Sequence, residues 1–379
     1  MSSAASLYAD FRNTKYFPSL NGIRAICALM VVKVHVSWMI DGEPQMIEWG
    51  FLGVDMFFAI SGFLIVTLLL RERDANGRIS LKQFYIRRTL RIFPIYYLLI
   101  ALLFVIAMVS YPHSTKTWEF YKWSFPIFLV YLQDIVPVSM GLLFHTWSLA
   151  MEEQFYLIWP SVERFVRRAW IVPLLLVLLA LNQMCNFGVF EHAIVSIYGP
   201  GGPMRPMLLI TFTPILLGVL AAHAMHHPQT GQALCRLLGN RWMPPLLLSL
   251  AMLACQYSHG LRGITYPTVH VLFCLALLAM VINPHGIFSR TLQSRVMSYL
   301  GSISYGLYLY HTFVIWTLQK VCDWRHLVLT PMQQFFVVAP VAIGVAALSF
   351  RFFETPIMRR RHHRAPAAAI DAARSHQGA

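Results

Sequence analysis

Several ionisable side chains fall inside the apolar runs of this 379-residue chain, and their spacing is helical. Arg24 and His35 share one face of a helix, about 16 Å apart along its axis. Histidine is the side chain most readily used as a base near neutral pH, and an arginine can hold an anion below it. The same pair also fits a hydrogen-bonded core histidine above an interfacial arginine. Within Trp147-Ser148-Leu-Ala-Met-Glu152-Glu153-Gln-Phe-Tyr156, the residues Ser148, Glu152 and Tyr156 recur every four positions as a polar stripe beside an apolar one that starts at Trp147. Adjacent carboxylates in an apolar segment are costly. They are expected to orient a base, bind a hydroxyl or pair with an arginine. Ser304, Tyr308 and His311 also share a face, which fits aromatic packing equally well. Arg88 and Arg91, with Arg87 beside them, suit either a phosphate clamp or ordinary anchoring at a span's inner end. Asp55 needs a partner such as Lys33, or a proton. Ser61 and the glycines Gly50, Gly53 and Gly62 allow close helix approach.

These residues must be positioned by helices in a bilayer. The chain is 57% hydrophobic and only 12% charged, too little polar surface for a soluble enzyme of this size. The fold class is all-α, a polytopic helical bundle. Ten spans are expected near 18–40, 50–70, 92–110, 145–163, 170–187, 205–225, 243–260, 265–283, 298–319 and 331–352. The first is expected to be uncleaved and preceded by a polar N-terminus. The segment 124–138 is apolar but short and broken by prolines, so it is expected to dip into the outer leaflet without crossing, its Gln133 and Asp134 facing a cavity. With this arrangement 22 of the 30 Lys and Arg fall on the inner side and 6 on the outer side, and a crossing at 124–138 would destroy that asymmetry. Both termini are therefore expected in the cytoplasm of a cell whose inner membrane holds the protein. A membrane domain is expected over 1–353 and a short basic tail over 354–379.

The net charge of +14 sits in short loops, not in a basic patch with stacking aromatics, so no nucleic-acid partner is expected. His223, His226 and His227 cluster at a span's inner end with no carboxylate nearby in sequence, and no metal site is expected. The six cysteines form no C-x-x-C pair and are expected as plain apolar-face residues, with a Cys185–Cys322 disulfide near outer span ends as the minor alternative.

Six motifs in order are similar to those of the acyltransferase-3 family of integral membrane O-acyltransferases. They are Leu20-Asn-Gly-Ile-Arg24 through His35, Gly53-Val-Asp-Met-Phe-Phe-Ala-Ile-Ser-Gly62, Arg88-Thr-Leu-Arg91-Ile-Phe-Pro94, Trp147 through Tyr156, Gly301-Ser-Ile-Ser-Tyr305 through His311, and Phe353-Glu354-Thr-Pro356. Asn21 and Lys33 depart from the usual pattern. The resemblance implies an O-acyltransferase, most simply one that moves acetyl from acetyl-CoA to a hydroxyl of a surface or exported glycan or another hydroxylated metabolite. It implies that His35 is the essential histidine, as base or acyl carrier, with Glu152 assisting. It places Arg24, Arg88 and Arg91 at the acyl-CoA end. Asp55, Ser61, Trp147, Ser148, Glu153, Tyr156, Tyr308 and His311 are expected around the substrate. Acyl-CoA would be a donor substrate and no cofactor is held permanently. The resemblance is to stand-alone members that carry no fused extracytoplasmic domain. The alternative is a transporter of polysaccharide or acyl groups, for which inverted repeats would be expected, and none is visible.

Overall fold

The computed structural model describes residues 3–41, 48–110, 116–136, 141–198, 212–256 and 263–359. Among these the chain is helical and shows no strand. The tail beyond Arg359 and the first part of the expected 205–225 span lie outside the described residues. Six helices are long and apolar enough to cross a membrane: α2 (Pro18–Asp41), α3 (Leu52–Asn76), α4 (Leu81–Ser110), α7 (Arg168–Asn186), α12 (Thr265–Ile282) and α16 (Pro331–Ser349) with its extension to Arg359. Helices α9 (Phe212–His226) and α11 (Met243–Gln256) are apolar but shorter. Two more, α6 (Trp147–Phe165) and α15 (Ser304–Arg325), are long but polar, because they carry the stripes read from the sequence.

Helix α3 is the centre of the bundle and α7 lies at its edge: 78% of the apolar window of α3 is buried against 11% for α7. Small residues let α3 approach its neighbours. A Cβ on Gly62 would run into the backbone of Ile215 on α9, and one on Gly218 of α9 would run into Ala59. Glycine is needed at both positions because backbone meets backbone there. Gly62→Leu is expected to destabilise the bundle by about 3 kcal/mol or more, since neither helix can retreat without unpacking the core. Thermal denaturation of the detergent-solubilised variant, read by loss of monodisperse protein, measures this.

The helices differ from the expected spans where hydropathy is blind to polar helix. Helix α4 begins at Leu81, so Arg87, Arg88 and Arg91 lie within it, because arginine and lysine extend helices well. A short helix α1 (Ala4–Asn13) precedes the first span, its N-terminus capped by Ser3. Arg71 ties it down by donating to the carbonyls of Phe11 (2.8 Å) and Thr14. The expected 298–319 helix is divided at Ile303 into Arg295–Ser302 and α15. Ser302 and Ser304 bond to the carbonyls of Tyr299 (2.6 Å) and Gly301 (2.9 Å), offering the backbone an alternative to the helical ladder.

The segment read as dipping contains α5 (Lys116–Leu129) and a turn over 130–136. Helix α5 runs back along α4 for about 21 Å. Its last carbonyls, Phe128 and Leu129, accept from Tyr96 (2.8 Å) and Tyr97 (2.9 Å), about half-way along α4. The chain then reaches the start of α6, where Gln133 donates to the Thr146 carbonyl (3.0 Å). Helices α5 and α6 thus form one broken path through the bundle. Gln133 and Asp134 are fully buried: Gln133 bonds Thr146 and Tyr96, and Asp134 accepts from Gln154 (2.8 Å). Broken helix inside a bundle frees carbonyls that need donors, and these side chains supply them.

Candidate active site

The break is closed by residues that the sequence marked as chemical. Tyr308 of α15 donates to the carbonyl of His145 (2.8 Å), and the Ser148 hydroxyl lies 3.1 Å from the same oxygen and 2.6 Å from the Tyr308 hydroxyl. Thr312 donates to the Leu142 carbonyl (3.0 Å). Ser148 and Tyr308 therefore have a structural duty, holding the short helix Gly141–Thr146 against α15. That duty delivers His145, itself fully buried, to the face of α15 that carries His311.

The imidazoles of His35 and His311 stack with centroids 4.8 Å apart, and His35 Nδ1 lies 2.5 Å from His311 Nε2. The protonation pattern follows from the partner on the far side. His311 Nδ1 is 2.6 Å from the Tyr308 carbonyl, which can only accept, so Nδ1 carries the proton. In neutral His311, Nε2 is then a lone pair, and His35 must donate to it from Nδ1. Nε2 of His35 is left as a free lone pair on a half-buried ring. Such an oriented imidazole lone pair is one that could accept a proton.

A second cluster lies beside the first. Ser61 and Tyr156 both direct their hydroxyls at Glu152 Oε1, and they are 2.9 Å from one another. Arg24 is within electrostatic reach of Glu152, Tyr156 and Arg88. Arg24, Glu152, Ser148, Tyr305 and Tyr308 line a small cavity of about 40 Å³, with Phe57 and Phe58 as its apolar wall. Trp147 is buried behind that wall, stacked on Phe51 and edge-on to Phe58. At the end of the bundle where α3 and α4 are joined, Arg87, Arg88, Arg91 and Glu72 line a larger hollow of about 450 Å³. The Arg88 guanidinium lies 5.1 Å from the centre of the Tyr156 ring, between hollow and cavity.

Arg24, Ser148, Glu152 and Tyr308 thus line one cavity, with Ser61 and Tyr156 bonded to Glu152, Arg88 beside Tyr156, Arg91 with Arg88 in the larger hollow, and His311 beside Tyr308 and His35. Among the described residues no hydrogen bond joins Glu152 to His35: the carboxylate accepts from Ser61 and Tyr156. Glu153 is not in the lining of this cavity and lies within electrostatic reach of Tyr96, Tyr97, Tyr131 and Tyr305. Asp55 is also elsewhere. It is buried against His270 of α12 (3.1 Å) and Tyr266 (3.4 Å), whereas Lys33, the partner expected from sequence, points out of the bundle. The expectation failed because α12 is far away in sequence. Carboxylates likewise reach the inner histidines: His223 meets Glu163 (2.8 Å), and His226 meets Asp74 (3.2 Å) and Arg12 (3.0 Å). Among the described residues no group of three or more potential ligands could hold a metal ion. The six cysteines are free thiols, Cys185 and Cys322 included.

Two site residues escaped the sequence reading. His145 lies before its helix begins, outside any periodicity. Glu354 was visible only as part of a motif. It sits in a π-turn, Phe350–Glu354, accepts from Ser349 (3.3 Å) and is within electrostatic reach of Arg91. Such turns interrupt helices most often at functional sites.

A family model, described as an acyltransferase domain, matches residues 17–351. The chain belongs to this acyltransferase family. Its curated relatives include the peptidoglycan O-acetyltransferase OatA of Listeria monocytogenes, 29% identical over 375 residues, a match that covers 91% of this chain and 56% of the relative. A putative O-acetyltransferase of Staphylococcus aureus (strain COL) is 28% identical over 93% of this chain and 59% of its own length. The O-acetyltransferase OatA of Staphylococcus aureus (strain NCTC 8325 / PS 47) is 26% identical, over 91% and 58%. The chain therefore spans little more than half the length of these relatives. No solved structure matches it. Family and apolar helices together make it a multi-pass membrane protein.

Proposed function

We propose that the protein is an O-acetyltransferase of the cell's inner membrane, moving acetyl from cytoplasmic acetyl-CoA to a hydroxyl of a surface or exported glycan. The observation that carries this reading is the free Nε2 of His35, fixed by the chain from His35 Nδ1 through His311 to the Tyr308 carbonyl. A base oriented in this way takes the proton of an attacking hydroxyl. Arg24, Arg88 and Arg91 supply fixed positive charge toward the inner side, as a nucleotide diphosphate requires. The similarity to named O-acetyltransferases supports acetyl as the group and glycan as the acceptor class.

The test compares surface glycans from cells with the intact gene and cells carrying His35→Ala. Alkali-labile acetate, measured by mass spectrometry, is expected only with the intact chain. Equal acetate in both overturns the reading.

The reading also requires the arginine hollow to face the cytoplasm. In a background stripped of the native cysteines, a probe at Asn76→Cys is expected to resist an impermeant thiol reagent in intact cells, and one at Glu119→Cys to react. The opposite pattern would place the donor site on the wrong side.

A further inference from the structure

The buried histidines of this bundle fall into two kinds. His223, His226 and His270 each sit against a carboxylate, Glu163, Asp74 and Asp55 respectively. His35, His311 and His145 do not. Among the described residues, the polar ring partners are His35 and His311 for one another, the backbone of Tyr308 and Leu307 for His311, and Thr312 with the backbone of Leu142 and Leu309 for His145. The centroid of His145 lies 5.0 Å from that of His311 and 6.5 Å from that of His35. His145 Nδ1 is 3.3 Å from Thr312, whose own hydrogen goes to Leu142, so Nδ1 donates and Nε2 is a bare, buried lone pair. Two buried carboxylates of the neighbouring helices are engaged elsewhere, Glu152 by Ser61 and Tyr156, and Asp55 by His270. Lys33 points outward, and Arg24 lies about 16 Å down the helix.

We propose that the three rings form a cluster with no carboxylate beside it among the described residues, with His311 and His145 as positioning residues, that holds a proton only in transit, so acetyl passes directly from donor to acceptor in a ternary complex. This rests on the acetyltransferase reading above. A lasting imidazolium in this apolar pocket would lack a counter-charge, and so would an acetyl group on His35 Nε2 while Nδ1 keeps its proton. The direct step needs neither. The acceptor oxygen attacks the thioester carbonyl carbon as His35 Nε2 takes its proton. The C–S bond breaks, and that proton passes from Nε2 to the leaving sulfur. An ester and free CoA result, and the cluster ends neutral as it began.

The test uses the full chain in proteoliposomes with acetyl-CoA and isotopically labelled CoA, without any acceptor. A ternary mechanism gives no label exchange above the His35→Ala blank, and acid-quenched protein carries no acetyl. Exchange without acceptor, or acetyl on the protein, overturns the proposal while leaving the acetyltransferase reading intact. That reading falls instead if the complete system, with a glycan acceptor, acetylates nothing.

The positioning role has its own measurement. His311→Glu introduces the missing counter-charge beside His35 and is expected to move the acid limb of the pH–rate profile up by about one unit or more. His311→Gln, a neutral acceptor, is expected to leave the limb in place. Coincident limbs for the two variants overturn the carboxylate-free argument. His145→Leu is expected to lower kcat about tenfold at unchanged KM for acetyl-CoA; an unaltered kcat removes His145 from the cluster.

Discussion

Replacing His35 by alanine is expected to lower acetyl transfer by a factor of about 10²–10⁴, the range that a positioned general base contributes. The variant should still assemble, because His35 is only half-buried and no backbone group of the bundle depends on its ring. It does strand His311 Nε2, at a cost of about 1–3 kcal/mol, so size-exclusion profiles must accompany the rates. His35→Gln separates the two effects, since its amide can still donate toward His311 yet supplies no base. Monodisperse protein that transfers acetyl at the original rate would remove His35 from the chemistry.

The second large effect is expected at the inner hollow. Arg88→Ala and Arg91→Ala should each raise KM for acetyl-CoA by about 10- to 100-fold, the equivalent of one charge-assisted hydrogen bond of about 1.5–3 kcal/mol. KM for the acceptor should be unchanged, because the hollow lined by Arg87, Arg88 and Arg91 lies on the inner approach. Lysine at either position should restore part of the loss, since a point charge lacks the planar fork of guanidinium. The two losses should not add fully, as the guanidiniums are close enough to act on one another. Initial rates over a matrix of donor and acceptor concentrations separate the two constants. A rise in acceptor KM at constant donor KM would assign these arginines to the glycan.

Much of this was legible in the residues, for reasons that particular elements show. Apolar runs of bilayer length specify helices whatever surrounds them, so α2, α3, α4, α7, α12 and α16 stand where hydropathy places them. Helical spacing specifies which side chains share a face, so Ser148, Glu152 and Tyr156 arrived as one stripe, as did Ser304, Tyr308 and His311. Hydropathy failed at polar helix: it missed α1, the first turns of α4 and the division at Ile303.

The sequence by itself determined the class of protein, the family signatures and the helix faces that carry the candidate residues, because each depends on residue type and local period. Only the tertiary structure decided partners. Asp55 met His270 and not Lys33, and Glu152 met Ser61 and Tyr156 and not the base. His311 supplied the proton pattern of His35, and His145 came to lie beside both. These pairings join residues on different helices, and contacts between helices follow from which small residues let backbones approach. Gly62 against α9 and the capped break before α6 set those approaches, and no periodicity within one helix records them.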